Sequence, residues 1–177
     1  LEKKVSGYVN ALEEIIHGTT LVINAIIERK GARTGLITTQ GFRDVLELGR
    51  EIRYAPYDVF AQVPEPLVPR HRRLEVNERL RADGSVLTQL NEADAREQVN
   101  ALKAMNVESV AVCLLNSFEN PAHELALKKI ICEEFPSASV SISYEVLPQI
   151  REYERTSTTV TNAYVKPLTE KYLRRLY

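Results

Sequence analysis

The chain has 177 residues, with 23 lysines and arginines against 24 aspartates and glutamates. This length suits one or two domains that bury more than half of the unfolded chain's surface, so folding requires neither a metal nor a disulfide. The charges nearly cancel and form no block of one sign, which excludes the basic surface of a nucleic-acid-binding protein.

Both cysteines, Cys113 and Cys132, lie in apolar stretches, which predicts reduced, buried thiols. No apolar run approaches the roughly 18 residues that cross a bilayer, and no basic-then-apolar leader precedes the first predicted helix. We therefore expect a soluble, cytoplasmic protein with no membrane partner. The chain begins at Leu1 and its only methionine is Met105, which predicts a fragment or a processed product.

The first third of the chain predicts two helices and one buried strand. Apolar residues from Val5 to Ile16 recur at helical spacing, so we expect an amphipathic helix over 3–16 that ends at His17 and Gly18. Residues 21–27 are too short and mixed to assign by periodicity. Residues 34–39 favour a buried strand. Residues 41–48 favour a short helix that faces a core with Phe42, Val45, Leu46 and Leu48.

The middle of the chain predicts a loop and a hairpin. Four of the eight prolines lie between Gly49 and His71, which excludes a regular element and predicts an ordered surface loop or insertion over about 50–71. Alternation around Leu74 and Val76, followed by Asp83-Gly84, predicts a hairpin over about 72–88, with a turn of two or more residues.

The second half predicts helices that alternate with strands. Asn91 and Asp94 begin a helix that buries Ala95, Val99, Leu102 and Met105. Residues 110–115 are apolar throughout, as in a strand covered on both faces. Asn120 caps a helix with Pro121 at its first position, and Pro136 ends that helix after it has buried Leu127, Ile130, Ile131 and Phe135.

Residues 139–143 alternate as a half-exposed strand, and 151–176 form a long helix that Pro167 kinks or splits. The order of helix, buried strand, helix and strand predicts an α/β fold in which helices cover a mixed, partly parallel sheet. We expect residues 1–177 to form a single domain.

The segment His17-Gly-Thr-Thr20 is the first candidate site. Its glycine lets a ligand approach the backbone, its hydroxyls can donate to phosphoryl or carbonyl oxygens, and its imidazole titrates near neutrality. The alternative is a turn in which Thr19 or Thr20 caps the next helix. Asn24 lies in an apolar run, where burial would require hydrogen bonds to backbone or to a ligand.

Residues 151–159 are the second candidate. Arg155 and the hydroxyl of Thr156 could hold an anion at a helix start, and the alternative is a capping region with a solvated ion-pair face. Asn120-Pro-Ala-His-Glu124 is best explained by capping, with His123 structural. The chain has no Walker loop and no pair of His or Cys at metal-ligand spacing, so no metal site is predicted.

These segments, with Glu28-Arg-Lys-Gly31 and Asn162-Ala-Tyr164, resemble the N-terminal region of the hydantoinase A and oxoprolinase family, which includes N-methylhydantoinase and acetone carboxylase relatives. The resemblance implies an incomplete actin-like, sugar-kinase-like ATPase subdomain, in which 21–27 is strand then helix. This chain departs from the family at Val22 and Ile23, where small or hydroxylated residues are usual, and at Asn116, where relatives often carry histidine.

The resemblance implies that the parent protein opens a cyclic amide, using ATP and Mg²⁺ to activate the amide by phosphorylation. Its partners would be the rest of the hydantoinase A chain, a hydantoinase B-type subunit and the small cyclic amide. The family's Asp-x-Gly-Gly-Thr phosphate hairpin is absent from these 177 residues, so we expect the fragment to be inactive alone and to bind no nucleotide.

The resemblance places seven residues at the nucleotide or substrate cleft and assigns no catalytic residue; they are His17, Gly18, Thr19, Thr20, Asn24, Arg155 and Thr156. Two alternatives stay open. One is a non-catalytic assembly module that docks a partner subunit through the Pro-rich loop and the last helix. The other is part of an ATP-dependent carboxylase of the same superfamily.

Overall fold

Four parallel strands form the central sheet in the computed structural model, which describes residues 18–50, 57–58, 60 and 64–176. The sheet order is β2-β1-β5-β6, and β3 and β4 form a separate antiparallel hairpin. The strands are β1 (Thr34–Thr39), β2 (Arg73–Val76), β3 (Arg79–Leu80), β4 (Val86–Thr88), β5 (Ser109–Cys113) and β6 (Ser139–Ile142).

Helices cover both faces of this sheet, and a 3₁₀ turn at Arg70–Arg72 leads into β2. The helices are α1 (Leu21–Ile27), α2 (Val45–Leu48), α3 (Glu92–Ala104), α4 (Ala122–Glu134), α5 (Ser143–Val146) and α6 (Glu152–Leu173). The predicted α/β class, with helices covering a sheet that has parallel strands, is therefore confirmed. The predicted sheet was mixed, whereas the antiparallel pairing among the described strands is confined to the separate hairpin of β3 and β4. None of the described helices is long and apolar enough to cross a membrane.

Two apolar layers explain why β1 and β5 are buried along their whole length. On one face Ile37 and Val112 pack in a core with residues of α3 and α4. On the other face Leu36 and Ala111 pack in a second core with residues of α6. Successive strand residues point to opposite faces, so a strand covered on both sides buries every residue. The threonines of β1 are accommodated because their hydroxyls are hydrogen-bonded.

Local capping rules predict the start of α3 correctly and that of α4 to within one residue, since α4 begins at Ala122 rather than at Pro121. The Asn91 side chain accepts a hydrogen bond from the Asp94 amide at 3.1 Å, and α3 begins at the next residue. The Asn120 side chain accepts from the Ala122 amide at 3.1 Å, and α4 ends before Pro136. At α6 the prediction was a kink or a split at Pro167, and the helix is not split, since it runs without a break through this residue.

The hairpin predicted over 72–88 is only partly correct. Residues Arg73–Val76 form β2 of the parallel sheet, where they pair with 36–39 of β1. The hairpin consists of β3 and β4 alone, and its turn includes Gly84 with a φ of +78°. Alternation indicates a strand without identifying the strand beside it, and here the partner lies 37 residues earlier in the chain.

Several smaller expectations also change. Residues 21–27 are helical throughout, so the strand implied before that helix is absent from this segment. Cys132 is exposed because it lies on the outer face of α4, whereas Cys113 is buried as predicted. Leu48 is 61% exposed rather than in a core. The short helix α5 was not predicted. The helix expected over 3–16 lies outside the described residues, as does much of the Pro-rich loop.

A close contact between Gly31 and Tyr164 joins the region after α1 to α6. The Ala32 amide donates to the Tyr164 carbonyl at 2.8 Å. A Cβ atom on Gly31 would lie 2.1 Å from Cε1 of Tyr164, whose ring is buried. Only glycine fits here for steric reasons, since Gly31 does not have a positive φ.

We expect Gly31→Ala to lower the free energy of unfolding by about 1–3 kcal/mol, because the methyl group overpacks this contact. Urea unfolding measures the change. Gly18→Ala is the matched control, since a Cβ there meets no atom within 4 Å. Equal losses in the two variants would show that the Tyr164 contact is not responsible.

Candidate functional site

The carboxyl ends of the neighbouring strands β1 and β5 lie side by side at the point where the strand order of the sheet reverses. The chain passes from β1 outward to β2, returns to β5 on the other side of β1, and continues to β6. Open parallel sheets bind ligands at the carboxyl edge beside such a reversal. In this chain Thr39 ends β1 there, and the loop after β5, residues 114–120, lies at the same edge.

A chain of hydrogen bonds crosses this edge. The Leu115 amide donates to Oγ1 of Thr39 at 2.8 Å, and that hydroxyl donates to Oε1 of Glu78. Oε2 of Glu78 lies 2.7 Å from Nδ1 of His123. Glu78 is 2% exposed and His123 is 5% exposed. Nε2 of His123 is buried and has no hydrogen-bond partner among the described residues.

Glu124, the next residue along α4, binds the loop after β5 to α5. Its Oε1 accepts from the Leu114 amide at 2.9 Å and from the hydroxyls of Ser117 and Ser143 at 2.9 and 2.6 Å. Its Oε2 accepts from the Tyr144 amide at 2.9 Å. Burial raises the pKa of Glu124, and these four hydrogen bonds counteract that rise. The carboxyl group is therefore a structural anchor for the loop.

Arg155 lies on α6, on the opposite face of the sheet, and reaches the same loop. Its Nη2 donates to the Leu114 carbonyl at 2.6 Å, and its guanidinium stacks on the Phe118 ring at 5.2 Å from the centroid. The side chain is 2% exposed, yet Nε and Nη1 have no hydrogen-bond partner among the described residues. Arg155 thus has unused capacity to bind an oxyanion.

Thr156 is buried beside Arg155 and donates through Oγ1 to the Cys113 sulfur at 3.2 Å. Burial raises the pKa of the Cys113 thiol, so this cysteine stays protonated near neutral pH. The local structure therefore makes Cys113 a packing residue rather than a nucleophile.

The first candidate segment lies at the surface. Gly18, Thr19, Thr20 and Asn24 are all exposed, and His17 lies outside the described residues. Oγ1 of Thr19 accepts from the Leu21 amide at 3.2 Å, and Oγ1 of Thr20 accepts from the Asn24 side chain at 3.1 Å. The side-chain amide of Asn24 is exposed to solvent, so it does not need a buried partner. That these residues bind a ligand stays a prediction.

A cavity of about 610 Å³ nevertheless joins the two segments that carried the resemblance. Arg29 of the Glu28-Arg-Lys-Gly31 segment lines it, opposite Tyr153 and Ser157 of α6. Leu46 and Leu48 of α2 supply part of its apolar wall. None of the described cleft candidates lines this cavity, and Arg155 and Thr156 face the sheet instead.

Sequence reasoning missed Thr39, Glu78 and Glu124. Thr39 is the last residue of β1, and Glu124 lies in the first turn of α4. The signal for Glu124 was its position next to His123 after the buried strand's loop. Glu78 gave no local signal, because its partner His123 is 45 residues away. No group of three His, Cys, Asp or Glu in the described part of the chain could hold a metal ion.

Comparison with known proteins identifies the family. The profile of the hydantoinase/oxoprolinase N-terminal region matches residues 1–135. Caprolactamase subunit alpha from Pseudomonas jessenii is 39% identical over 91% of this chain and 23% of its own length. The acetophenone carboxylase gamma subunit from Aromatoleum aromaticum is 35% identical over 88% of this chain and 23% of its own length.

The crystal structure of ATP-dependent caprolactamase from Pseudomonas jessenii matches with a TM-score of 0.90 at 35% identity, covering 96% of this chain and 25% of that chain. The chain thus spans about a quarter of the length of these relatives. From the profile match, the sequence identities and the shared fold, we conclude that the chain belongs to the hydantoinase/oxoprolinase family.

Proposed function

We propose that the protein containing this chain is an ATP-dependent enzyme that opens a cyclic amide by phosphorylating the amide oxygen. The observation that carries this proposal is the TM-score of 0.90 with an ATP-dependent caprolactamase across 96% of the chain. Phosphorylation of the oxygen makes the amide carbon more electrophilic, so water can add to it and the C–N bond of the ring then breaks as the nitrogen takes a proton from that water. A second water hydrolyses the resulting acyl phosphate to the carboxylate and phosphate. Catalysis of such a transfer depends on positioning and on stabilisation of charge.

The described residues suit part of an ATP site. Arg155 has two unpaired nitrogens beside the loop after β5, and Thr19 and Thr20 offer exposed hydroxyls. These groups can bind phosphate oxygens. The seven glycines are dispersed and form no phosphate-cradling loop, so we assign ATP and its Mg²⁺ mainly to the rest of the protein. In this proposal the chain is one wall of the cleft.

A hydantoinase B-type subunit is the proposed partner. The caprolactamase and acetophenone carboxylase relatives are both named as subunits, which supports an assembly of more than one chain. The assembly-module alternative predicts the same partner but gives this chain no part in ATP consumption.

The test is substrate-dependent ADP release by the full-length protein with its B-type subunit. Hydantoin, 5-oxoproline and caprolactam are the probes, and at least one should stimulate ADP release and be opened in equal amount. Absence of stimulation by all three, with MgATP present, contradicts cyclic amide opening. For the isolated chain we expect MgATP to leave the melting temperature unchanged. A rise of several degrees would contradict the proposal that this chain forms only one wall of the ATP cleft.

A ketone carboxylase is the second candidate, because the acetophenone carboxylase gamma subunit is 35% identical. The same assay separates the two reactions. ADP release that requires both a ketone such as acetophenone and bicarbonate, and that no cyclic amide supports, would assign the carboxylase reaction.

A further inference from the structure

We propose that His123 accepts the substrate proton during phosphorylation of the amide oxygen, and that Glu78 positions its imidazole. This inference rests on the proposed function and adds a residue and a role to it. It starts from a buried histidine whose Nδ1 is engaged and whose Nε2 has no partner among the described residues.

The hydrogen bonds at the carboxyl edge fix the direction of the Thr39 hydroxyl proton, and the proposal assigns the proton between Glu78 and His123. The Leu115 amide donates to Oγ1 of Thr39, so the hydroxyl proton of Thr39 is free to point at Oε1 of Glu78. Oε1 of Glu78 thus accepts from Thr39. In the proposed arrangement Oε2 of Glu78 accepts from Nδ1–H of His123, and the neutral ring then has the lone pair of Nε2 available.

A carboxylate that holds Nδ1–H and frees Nε2 is the arrangement that makes histidine a general base. A purely structural role for the pair is the competing explanation, since it joins the strand-to-hairpin segment at Glu78 to the first turn of α4. If the pair had only this structural role, no function would depend on where Nε2 lies. The location beside the strand-order reversal, where ligands bind in open parallel sheets, favours the chemical role.

Atoms and charges balance in the proposed step. The amide oxygen attacks the terminal phosphorus of ATP, the new O–P bond forms, and the bond from phosphorus to the ADP oxygen breaks. The amide N–H proton passes to Nε2 of His123 as the C=N bond forms. The products are an O-phosphorylated imidate, ADP and an imidazolium that Glu78 stabilises. In a carboxylase the same atom would accept a Cα proton of the ketone.

The protonation pattern can be observed directly in the full-length protein labelled with ¹⁵N at histidine only. We expect the His123 signals, assigned by their loss in His123→Asn, to show the neutral ring with the proton on Nδ1. In Glu78→Gln we expect a shift toward the Nε2–H form, because the amide can donate to Nδ1. An Nε2–H form in the unmodified protein would overturn the proposal.

Kinetics then separate the chemical role from the structural one. In His123→Asn the new amide side chain can still donate to Glu78 but has no atom at the place of Nε2. We expect the kcat of this variant for substrate-dependent ADP release to fall about 10²–10⁴-fold while the KM for ATP is unchanged. His71→Asn is the matched control at an exposed histidine and should behave like the unmodified protein. Retention of more than about a tenth of kcat in His123→Asn would overturn the proposal.

Glu78→Gln provides the second variant if His123→Asn does not fold. It keeps the side-chain shape, so a kcat close to that of the unmodified protein would contradict the positioning role. The two proposals fail in different ways. If the unmodified protein shows no substrate-dependent ADP release, the proposed function fails; if it does and these variants match it, only the role of His123 fails.

Discussion

Removal of the Glu124 side chain is expected to destabilise the fold strongly. Glu124→Ala removes the acceptor of the buried Leu114 amide, of the part-buried Tyr144 amide and of the buried hydroxyls of Ser117 and Ser143. An unsatisfied buried donor costs about 1–3 kcal/mol, so with the Leu114 amide alone unsatisfied we expect at least about 1–3 kcal/mol to be lost from the free energy of unfolding. Urea or thermal unfolding of the 177-residue chain measures it.

Glu124→Gln provides a graded comparison. The amide oxygen can accept from one of the two backbone amides, but the NH₂ group faces the other donor, so the expected loss is about 1–3 kcal/mol. Glu119→Gln makes the same chemical change at an exposed position in the loop after β5 and should alter stability by less than about 0.5 kcal/mol. If Glu124→Gln is as mild as Glu119→Gln, the anchor role is wrong.

Replacement of Arg155 by methionine is expected to separate stability from activity. The guanidinium is buried with one carbonyl partner and two unpaired nitrogens, and it forms no ion pair among the described residues. Burial of an ion is costly, so an apolar side chain of similar length should leave the free energy of unfolding within about 1 kcal/mol or raise it. In the full-length protein we expect kcat to fall about 10²–10³-fold, because a donor to a developing charge is lost.

Arg155→Lys is the matched control for charge. An ammonium group keeps the positive charge but loses the planar, two-pronged donor geometry, so kcat should fall in this variant as well. A loss of more than about 3 kcal/mol in Arg155→Met, with normal kcat in whatever fraction remains folded, would show that Arg155 is structural. Chemical unfolding and the ADP-release assay provide the two readouts.

The parts of the fold that depend on nearby residues could be predicted from the sequence. Asn91 and Asn120 act within three residues, so the starts of α3 and α4 followed from capping chemistry. The uniform apolar character of β5 indicated cover on both faces. The partner of β2 could not be predicted in this way, because pairing with β1 is a property of the assembled sheet.

Residues of the candidate site could likewise be predicted only where the signal came from nearby residues. Arg155 and Thr156 stood out because a charged and a hydroxylated residue begin a long helix, and both prove to be buried beside the loop after β5. His123 was explained by capping, since its position in the first turn of α4 was visible while Glu78 was not connected to it. The contact with Glu78, which is distant in the sequence, pairs His123 with a buried carboxyl group, and this pairing could not be predicted from the capping segment alone.

Because α6 covers one face of the sheet, it limits where the chain can be truncated without exposing that face. Leu36 and Ala111 are sealed by Val160 and Ala163, which lie beyond residue 135, where the family profile stops. A polypeptide trimmed at that boundary would present this apolar face to water and would also lose the Tyr164 carbonyl that binds Ala32. The stretch of sequence that the family profile matches is therefore shorter than the stretch needed to cover both faces of the sheet.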